Sequence, residues 1–224
     1  MSKKPAYRDG LPDRPAHMLA LPLDRRGYPI PKFVAYHPTT GEPDFRVVDA
    51  EFMARARFHK LCFLCGQPLG RHQFFVVGPM CIANRISAEP PTHGACARYA
   101  LEVCPFLTRP EAIRREANPM PGKKLPPGIM ERGNPGVSVL WESRTWKRYD
   151  HRAVPGTVSS TLIDIGEPVT VEWFTKGRRA TPDEAREGYE ASVAKLRHAA
   201  EQEGPDAVKH FEGLDAAARR FLPQ

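Results

Sequence analysis

The feature of this sequence that most constrains its fold is the clustering of its cysteines. All five lie within a stretch of 43 residues, at Cys62, Cys65, Cys81, Cys96 and Cys104. The basic first residues are not followed by an apolar run, so we expect no secretory signal and a cytoplasmic protein. Because the cytosol keeps thiols reduced, clustered cysteines in such a chain indicate a metal site and not a set of disulfides.

Two ligand pairs have the spacing of a metal-binding module. Cys62 and Cys65 form a C-x2-C pair followed by a glycine, which allows the tight turn that points backbone amides at the sulfurs. His93 and Cys96 form a second pair at the start of a predicted helix over 94–103, where the helix dipole favours a thiolate. Thiolate and imidazole suit zinc, so we expect these four residues to bind a zinc ion.

Cys81 and Cys104 exceed the four ligands that a tetrahedral site needs. Each is an alternative metal ligand, or a small apolar side chain in a core; for Cys81 we favour the buried position. A helix that continues past Cys96 would place Cys104 roughly 12 Å further along its axis, too far to reach the same ion. Four protein ligands leave no open coordination position, so we expect the metal to stabilise the fold and not to catalyse a reaction.

The order of these motifs resembles a known zinc-binding fold. The cysteine pair, a hairpin-like passage over 74–79 and a ligand pair on a helix resemble the treble-clef zinc finger, over residues 62–104. The residues from Cys62 to Leu107, with GVSVLW and VEWFTKGRRATPDE further on, resemble a family of uncharacterised proteins in bacteriophage and actinobacterial genomes. That second resemblance implies no activity and suggests at most an intracellular protein that acts near nucleic acid.

A catalytic alternative rests on a third resemblance, which lies in the same segment. His72, Asn84 and His93 have nearly the order and spacing of an HNH nuclease, a relative of the treble clef. The resemblance implies that His72 activates water while Asn84 and His93 hold a divalent ion. However, Arg71 stands where that family has an acidic residue or histidine, and the last two cysteines are not a C-x2-C pair. The motifs of zinc deaminases, phosphate-binding loops and α/β-hydrolases are absent from the sequence.

The charge distribution favours an acidic partner. Of the net charge of +7, residues 1–57 and 58–110 carry +3 each, and residues 111–224 carry +1. We expect a DNA or RNA interface of interleaved basic and aromatic residues: Arg144, Trp146, Lys147, Arg148, Arg152, Lys176, Arg178 and Arg179. Its cations would neutralise phosphates, and an exposed indole of Trp146 would stack on a base. The alternatives are an ordinary solvated surface, or a phage-type factor that binds a host protein.

The periodicity predicts an α+β protein with long proline-rich loops, since 24 of the 224 residues are proline. Its four expected parts are an extended arm with a hairpin (1–57), the zinc-binding module (58–110), a Pro/Gly-rich linker (111–136) and an antiparallel sheet with two C-terminal helices (137–224). No apolar run is long enough to span a bilayer, so we expect no membrane partner.

Local patterns place the expected elements along the chain. β-prone or alternating runs predict strands at 33–36, 45–48, 137–148, 162–165 and 169–174. Short helices are predicted at 49–60 and 110–117. A capping box at Thr181–Glu184 starts a long helix that Gly204 ends, and a second helix begins at Pro205.

Overall fold

Short helices and strands joined by irregular segments come first along the chain, and two longer helices follow at the C-terminus. The computed structural model describes residues 5–113, 133–151 and 160–224. In that part of the chain the helices are α1 (Ala50–His59), α2 (Pro79–Asn84), α3 (Gly94–Val103), α4 (Pro105–Thr108), α5 (Pro182–Glu203) and α6 (Pro205–Ala218). The strands are β1 (Val34–Tyr36), β2 (Pro43–Val48), β3 (Gln73–Val77), β4 (Ile86–Ser87), β5 (Ser138–Ser143), β6 (Lys147–His151), β7 (Ser160–Asp164), β8 (Pro168–Thr175) and β9 (Arg178–Arg179). The fold is mixed α+β with small antiparallel sheets, which confirms the predicted class.

A four-stranded antiparallel sheet in the order β3-β5-β8-β9 joins the cysteine-rich segment to the C-terminal half. β3 belongs to the cysteine-rich segment and pairs with β5, so that Phe75 lies opposite Trp141. Because side chains alternate along a strand, Trp141 faces one side of the sheet, while Leu140 and Glu142 face the other. The predicted zinc module and the predicted C-terminal sheet therefore share one sheet.

The face that carries Trp141 is covered by α2, α5 and α6. Trp141 and Tyr189 are fully buried in the core between this face and the helices. α5 begins with the predicted capping box, in which the Thr181 hydroxyl accepts from the Glu184 N–H at 3.3 Å. The Tyr189 hydroxyl donates to Asp215 of α6 at 2.8 Å, so a buried polar contact joins the two helices in addition to apolar packing.

The opposite face of the sheet is covered by α3, the helix that begins with two of the predicted metal ligands. Ala97 and Leu101 of α3 pack against Leu140 and Phe174 of the sheet, and all four are buried. Burial of side chains of this size stabilises a helix by roughly 1.5–3 kcal/mol for each large residue. The sheet therefore holds α3 in place independently of any metal.

A second, three-stranded sheet has the order β4-β7-β6. The single strand predicted over 137–148 is wrong, since it is divided into β5 and β6, which lie in different sheets. The division occurs at Ser143, whose hydroxyl donates to the Thr145 carbonyl at 2.6 Å and accepts from the Thr145 N–H at 3.2 Å. A hydroxyl that bonds the nearby backbone competes with strand pairing and turns the chain.

The N-terminal part contains the hairpin of β1 and β2, followed by α1. The Asp49 carboxylate accepts from the Phe52 N–H at 3.0 Å and caps α1. The predicted linker over 111–136 and the predicted helix over 110–117 lie largely outside the described residues. In the described ranges, none of the helices has the length and apolarity needed to cross a bilayer.

Candidate metal centre

Cys62, Cys65, His93 and Cys96 come together in one cluster. Each offers one ligand atom, and the four atoms lie within 4.8 Å of one another. The Nδ1 atom of His93 is 3.3 Å from the Cys65 sulfur and 4.0 Å from the Cys96 sulfur. For zinc–sulfur bonds of about 2.3 Å, tetrahedral geometry requires ligand separations of about 3.8 Å. The four side chains therefore have the spacing of a tetrahedral metal site.

The first ligand pair is held by a tight turn. The Cys65 N–H points at the Cys62 sulfur at 3.4 Å, and the Gly66 N–H donates to the Cys62 carbonyl at 2.8 Å. Gly66 has a φ of +77°, and a Cβ atom there would lie 2.9 Å from Cγ of Lys32. A residue other than glycine would thus be both strained and crowded, which explains the glycine after the second cysteine.

His93 is oriented by a hydrogen bond from its second ring nitrogen. Nε2 lies 3.0 Å from the Pro68 carbonyl, which can only accept a hydrogen bond. Nε2 must therefore carry the proton, and the lone pair of Nδ1 points at the cysteines. The ring also stacks on His17 at a centroid distance of 4.2 Å. In metal sites the histidine nitrogen that does not bind the metal usually donates to such an acceptor, which fixes the orientation of the ring.

Cys96 is placed by α3, of which it is the third residue. His93 precedes the helix as its N-cap residue, and its N–H points at the Cys62 sulfur at 3.4 Å. The start of α3 lies close against β3, because a Cβ atom on Gly94 would be 2.8 Å from the Phe74 ring. The partial positive charge at a helix N-terminus favours an anionic sulfur here.

The three thiols strongly perturb one another. A hydrogen bond from Cys65, followed by one from Cys96, lowers the pKa of Cys62. The hydrogen bond to Cys62 raises the pKa of Cys65 to about 11, and it raises that of Cys96 as well. A negative charge therefore favours the Cys62 sulfur, which restricts ionisation of the other two. A divalent cation would remove this restriction, because it stabilises several thiolates side by side.

Apolar side chains from the N-terminal segment and from α3 cover the cluster. Met18, Leu21, Tyr99 and Val103 are buried around the cysteines. The Tyr7 and Tyr99 hydroxyls lie 2.7 Å apart and link residues near the start of the chain to α3. Water is therefore kept from most of the cluster, which suits a structural metal site more than a catalytic one.

Cys81 and Cys104 do not belong to the cluster. Cys81 is on α2 and packs against the core beneath α5 and α6, where burial raises the pKa of its thiol to about 11. Cys104 follows the last residue of α3, and its N–H donates to the Ala100 carbonyl at 2.9 Å. Its position past the helix end agrees with the expectation that it lies too far along the axis.

Of the residues of the nuclease alternative, Asn84 lies apart from the two histidines. His72 Nδ1 is 2.5 Å from a carboxylate oxygen of Glu142. Glu142 lies on the side of the sheet that α3 covers, and it also accepts from the Thr170 hydroxyl at 2.7 Å. Asn84 is the last residue of α2 and lies beside α5 and α6, on the other side of the sheet. Its side-chain oxygen accepts from the Ile86 N–H at 3.0 Å. His93 belongs to the cysteine cluster. The expected hairpin over 74–79 is replaced by β3 and α2, which separates Asn84 from the two histidines.

The predicted nucleic-acid residues have varied environments. The Trp146 indole donates to Gln73 at 2.5 Å and packs against the core, so it is not the exposed stacking side chain that the sequence suggests. Arg178 pairs with Glu184 at 2.7 Å and Arg179 with Glu172 at 2.5 Å. Lys176 lies in the turn between β8 and β9, and Arg152 is outside the described residues. Four exposed cations of the predicted set form no ion pair in the described part of the chain: Arg144, Lys147, Arg148 and Lys176.

Sequence reasoning missed the groups that support the ligands. The Pro68 carbonyl and the close approach of Gly94 to Phe74 depend on backbone positions and not on residue type. The glycine directly after His93 was the one visible signal of a crowded helix start. The stacking partner His17 is distant in sequence, so no local pattern could have indicated it.

Comparison with known proteins assigns no family. No protein-family model, no curated protein and no solved structure matches the chain. A function must therefore be inferred from its own metal centre and surface.

Proposed function

We propose that this chain is a zinc-stabilised protein that binds DNA or RNA. The observation that supports zinc is the donor set, which consists of three sulfurs and one imidazole nitrogen within 4.8 Å of one another. Sulfur and imidazole suit zinc, whereas magnesium and calcium prefer oxygen ligands. Because four protein ligands complete a tetrahedral shell, the ion stabilises the fold and leaves no position open for a reaction.

The same arrangement supports a treble-clef-like module. The cysteine turn is followed by β3 and then by α3, which carries the second ligand pair. An isolated antiparallel bridge between Phe74 and Thr92 brings β3 next to the residue that precedes His93. The Phe74–Thr92 bridge stands in place of the hairpin that the sequence predicts over 74–79. Along the chain, α2 and β4 lie between the two bridged residues.

Zinc would join three parts of the chain that meet at the cluster. The cysteine turn contributes two ligands, α3 contributes a third, and His93 is stacked on His17 of the N-terminal segment. The shell residues Met18 and Leu21 come from that same segment. We expect the metal to supply much of the stability of this region, because structural zinc sites bind with about 10–16 kcal/mol in small peptides.

The charge of the surface supports a nucleic-acid partner. The net charge is +7, and Arg144, Lys147 and Arg148 are exposed without an ion pair in the described ranges. Cations without acidic partners are free to neutralise phosphates and release counterions. Arg178 and Arg179 contribute less, since each already faces a carboxylate. We therefore centre the proposed surface on the turn between β5 and β6 and on β6.

Two measurements test the two parts of the proposal. Elemental mass spectrometry of the purified protein is expected to find one zinc per chain, and metal-free or iron-containing protein would overturn the zinc assignment. Fluorescence anisotropy with labelled DNA and RNA is expected to show a log–log salt slope of about −0.7 to −0.9 for each phosphate contacted. A chain that binds neither DNA nor RNA at about 50 mM salt would refute the nucleic-acid function.

A charge-removing variant locates the surface. Lys147→Gln combined with Arg148→Gln is expected to weaken binding and to reduce the salt slope by about 1.4 to 1.8. The matched control is Lys209→Gln on α6, an exposed lysine without an ion pair in the described residues. Equal effects of the two changes would mean that charge in general, and not this surface, attracts the nucleic acid.

A further inference from the structure

The end of α1 carries the most exposed aromatic side chain of the described residues. Phe58 has 72% of its surface exposed, compared with 49% for Tyr36 and 37% for Phe45. Phe52 and Ala56 of the same helix are buried against Phe63. α1 is therefore anchored by its inner side, and Phe58 contributes little to the core.

Cationic residues flank Phe58 on the exposed side of α1 and at its C-terminal end. Arg55 lies one helical turn before Phe58 on the exposed side of α1, and Lys60 follows at the end of the helix. The Leu69 N–H donates to the Lys60 carbonyl at 2.9 Å, and this bond ties the segment that leads to Arg71 to the end of α1. The His59 ring meets the Phe58 ring edge-on at 4.8 Å. We name this surface the α1-end patch: Arg55, Phe58, His59, Lys60 and Arg71.

The α1-end patch has almost no acidic residues of its own. Across the three described ranges, Arg55, Lys60 and Arg71 form no ion pair. The one acidic residue on the exposed side of α1 is Glu51, a full turn before Arg55. Unlike the arginines of β9, these cations keep their charge available to a partner.

We propose that the α1-end patch binds single-stranded nucleic acid, with a base stacked on Phe58 and the neighbouring phosphates next to Arg55 and Lys60. This inference rests on the proposed nucleic-acid function; it adds a second contact surface to the one around β6 and specifies the type of strand. An unpaired base can place its flat face on an aromatic ring, whereas a base in a duplex is already stacked on its neighbours. Such stacking accepts any base, so we expect little sequence preference.

The metal centre holds the α1-end patch in position. The Leu61 N–H donates to the Ala56 carbonyl at 3.0 Å, and Cys62 follows directly. Phe63, between the first two ligands, is stacked on Phe33 at 4.6 Å and packs on α1. We therefore expect removal of the metal to weaken single-strand binding as well as to destabilise the fold.

A purely structural role predicts a different result for the same residues. Cations at the end of a helix interact favourably with its dipole, and Lys60 has a φ of +51° at the C-cap. If Arg55 and Lys60 served only the helix, their replacement would change stability and leave nucleic-acid affinity unchanged. The test must therefore measure both quantities.

The experiment uses the full chain with its metal and compares Phe58→Leu with Tyr36→Leu as the matched control. Affinities are measured for labelled single-stranded DNA and for its duplex. Since loss of one stacked base costs about 1–3 kcal/mol, Phe58→Leu should weaken single-strand binding by about 5- to 150-fold at an unchanged melting temperature. Tyr36→Leu should leave the affinity unchanged.

The charged residues are tested by Arg55→Gln with Lys60→Asn, because asparagine tolerates the left-handed backbone at position 60. This pair should reduce the single-strand salt slope by about 1.4, and Lys209→Gln should not. If the chain binds nucleic acid but tolerates Phe58→Leu, or prefers the duplex, the α1-end patch is refuted while the nucleic-acid function stands. If the unaltered chain binds neither strand type, both proposals fail.

Discussion

Cys65→Ser replaces one sulfur of the metal cluster by a hydroxyl in a position that is only 5% exposed. The Cys65 sulfur lies 3.3 Å from His93 Nδ1, so its loss opens the cluster on the side of the histidine. Serine stays neutral near pH 7 and does not supply the thiolate that zinc requires. The structure therefore predicts a direct loss of metal affinity and not a subtle change in packing.

The size of the loss follows from the number of ligands. Structural zinc contributes about 10–16 kcal/mol in small peptides, so one ligand of four corresponds to roughly 3–4 kcal/mol. That energy lowers zinc affinity by about two to three orders of magnitude. Since domains of this kind are stable by about 5–15 kcal/mol, we also expect a clear drop in the free energy of unfolding.

The assay measures zinc per chain and zinc affinity in competition with a chelator, together with thermal unfolding. Cys81→Ser is the control, because Cys81 is on α2 against the core beneath α5 and α6, outside the cluster. We expect Cys81→Ser to retain one zinc per chain at unchanged affinity. A Cys65→Ser protein that keeps its zinc as tightly, or a Cys81→Ser protein that loses it, would refute the ligand assignment.

Three smaller effects can be measured independently. Chelation of the metal should speed hydrogen exchange in residues 5–30, since Met18 and Leu21 pack on the cluster, and should leave α5 protected; equal exchange before and after would contradict this. Thr181→Ala should lower the free energy of unfolding in urea by about 1 kcal/mol through loss of the α5 cap, whereas Thr39→Ala in an exposed loop should not. Hydrogen bonds from Arg98 hold the pKa of Glu172 below its usual range. The Glu172 carboxylate therefore stabilises the fold above about pH 4, and this stabilisation is lost as the pH falls through the lowered pKa. Glu172→Gln should flatten the acid part of the stability curve, and an unaltered curve would show that the pair contributes nothing.

The clustering of the four candidate ligands was predictable because their arrangement is mostly local. Cys62 and Cys65 face one point through a single tight turn, and His93 and Cys96 do so through the first turn of α3. Helix starts of this kind depend on short-range geometry, and α3 begins and ends at its predicted residues. The capping box of α5 was equally visible, since its two hydrogen bonds join residues three positions apart.

The sheet was less predictable because its pairings are long-range. β3 pairs with β5, so the passage over 74–79 does not fold back on itself as a hairpin. The alternating run over 137–148 gives no sign of the turn at Ser143, where a side-chain hydroxyl replaces strand pairing. The alternation of apolar and polar residues predicts which side chains share one side of a strand. It does not predict with which other strand that strand pairs.

By itself the sequence determined which residues make up the candidate metal centre, the net positive charge, and the helices whose capping residues are close neighbours along the chain. The tertiary structure decided which charged and aromatic side chains remain available at the surface. It packed the partly buried Trp146 against the core, paired Arg178 and Arg179 with carboxylates, and left Phe58 exposed. The physical reason is that exposure and ion pairing depend on neighbours from distant parts of the chain, whereas ligand spacing and capping depend on a few consecutive residues.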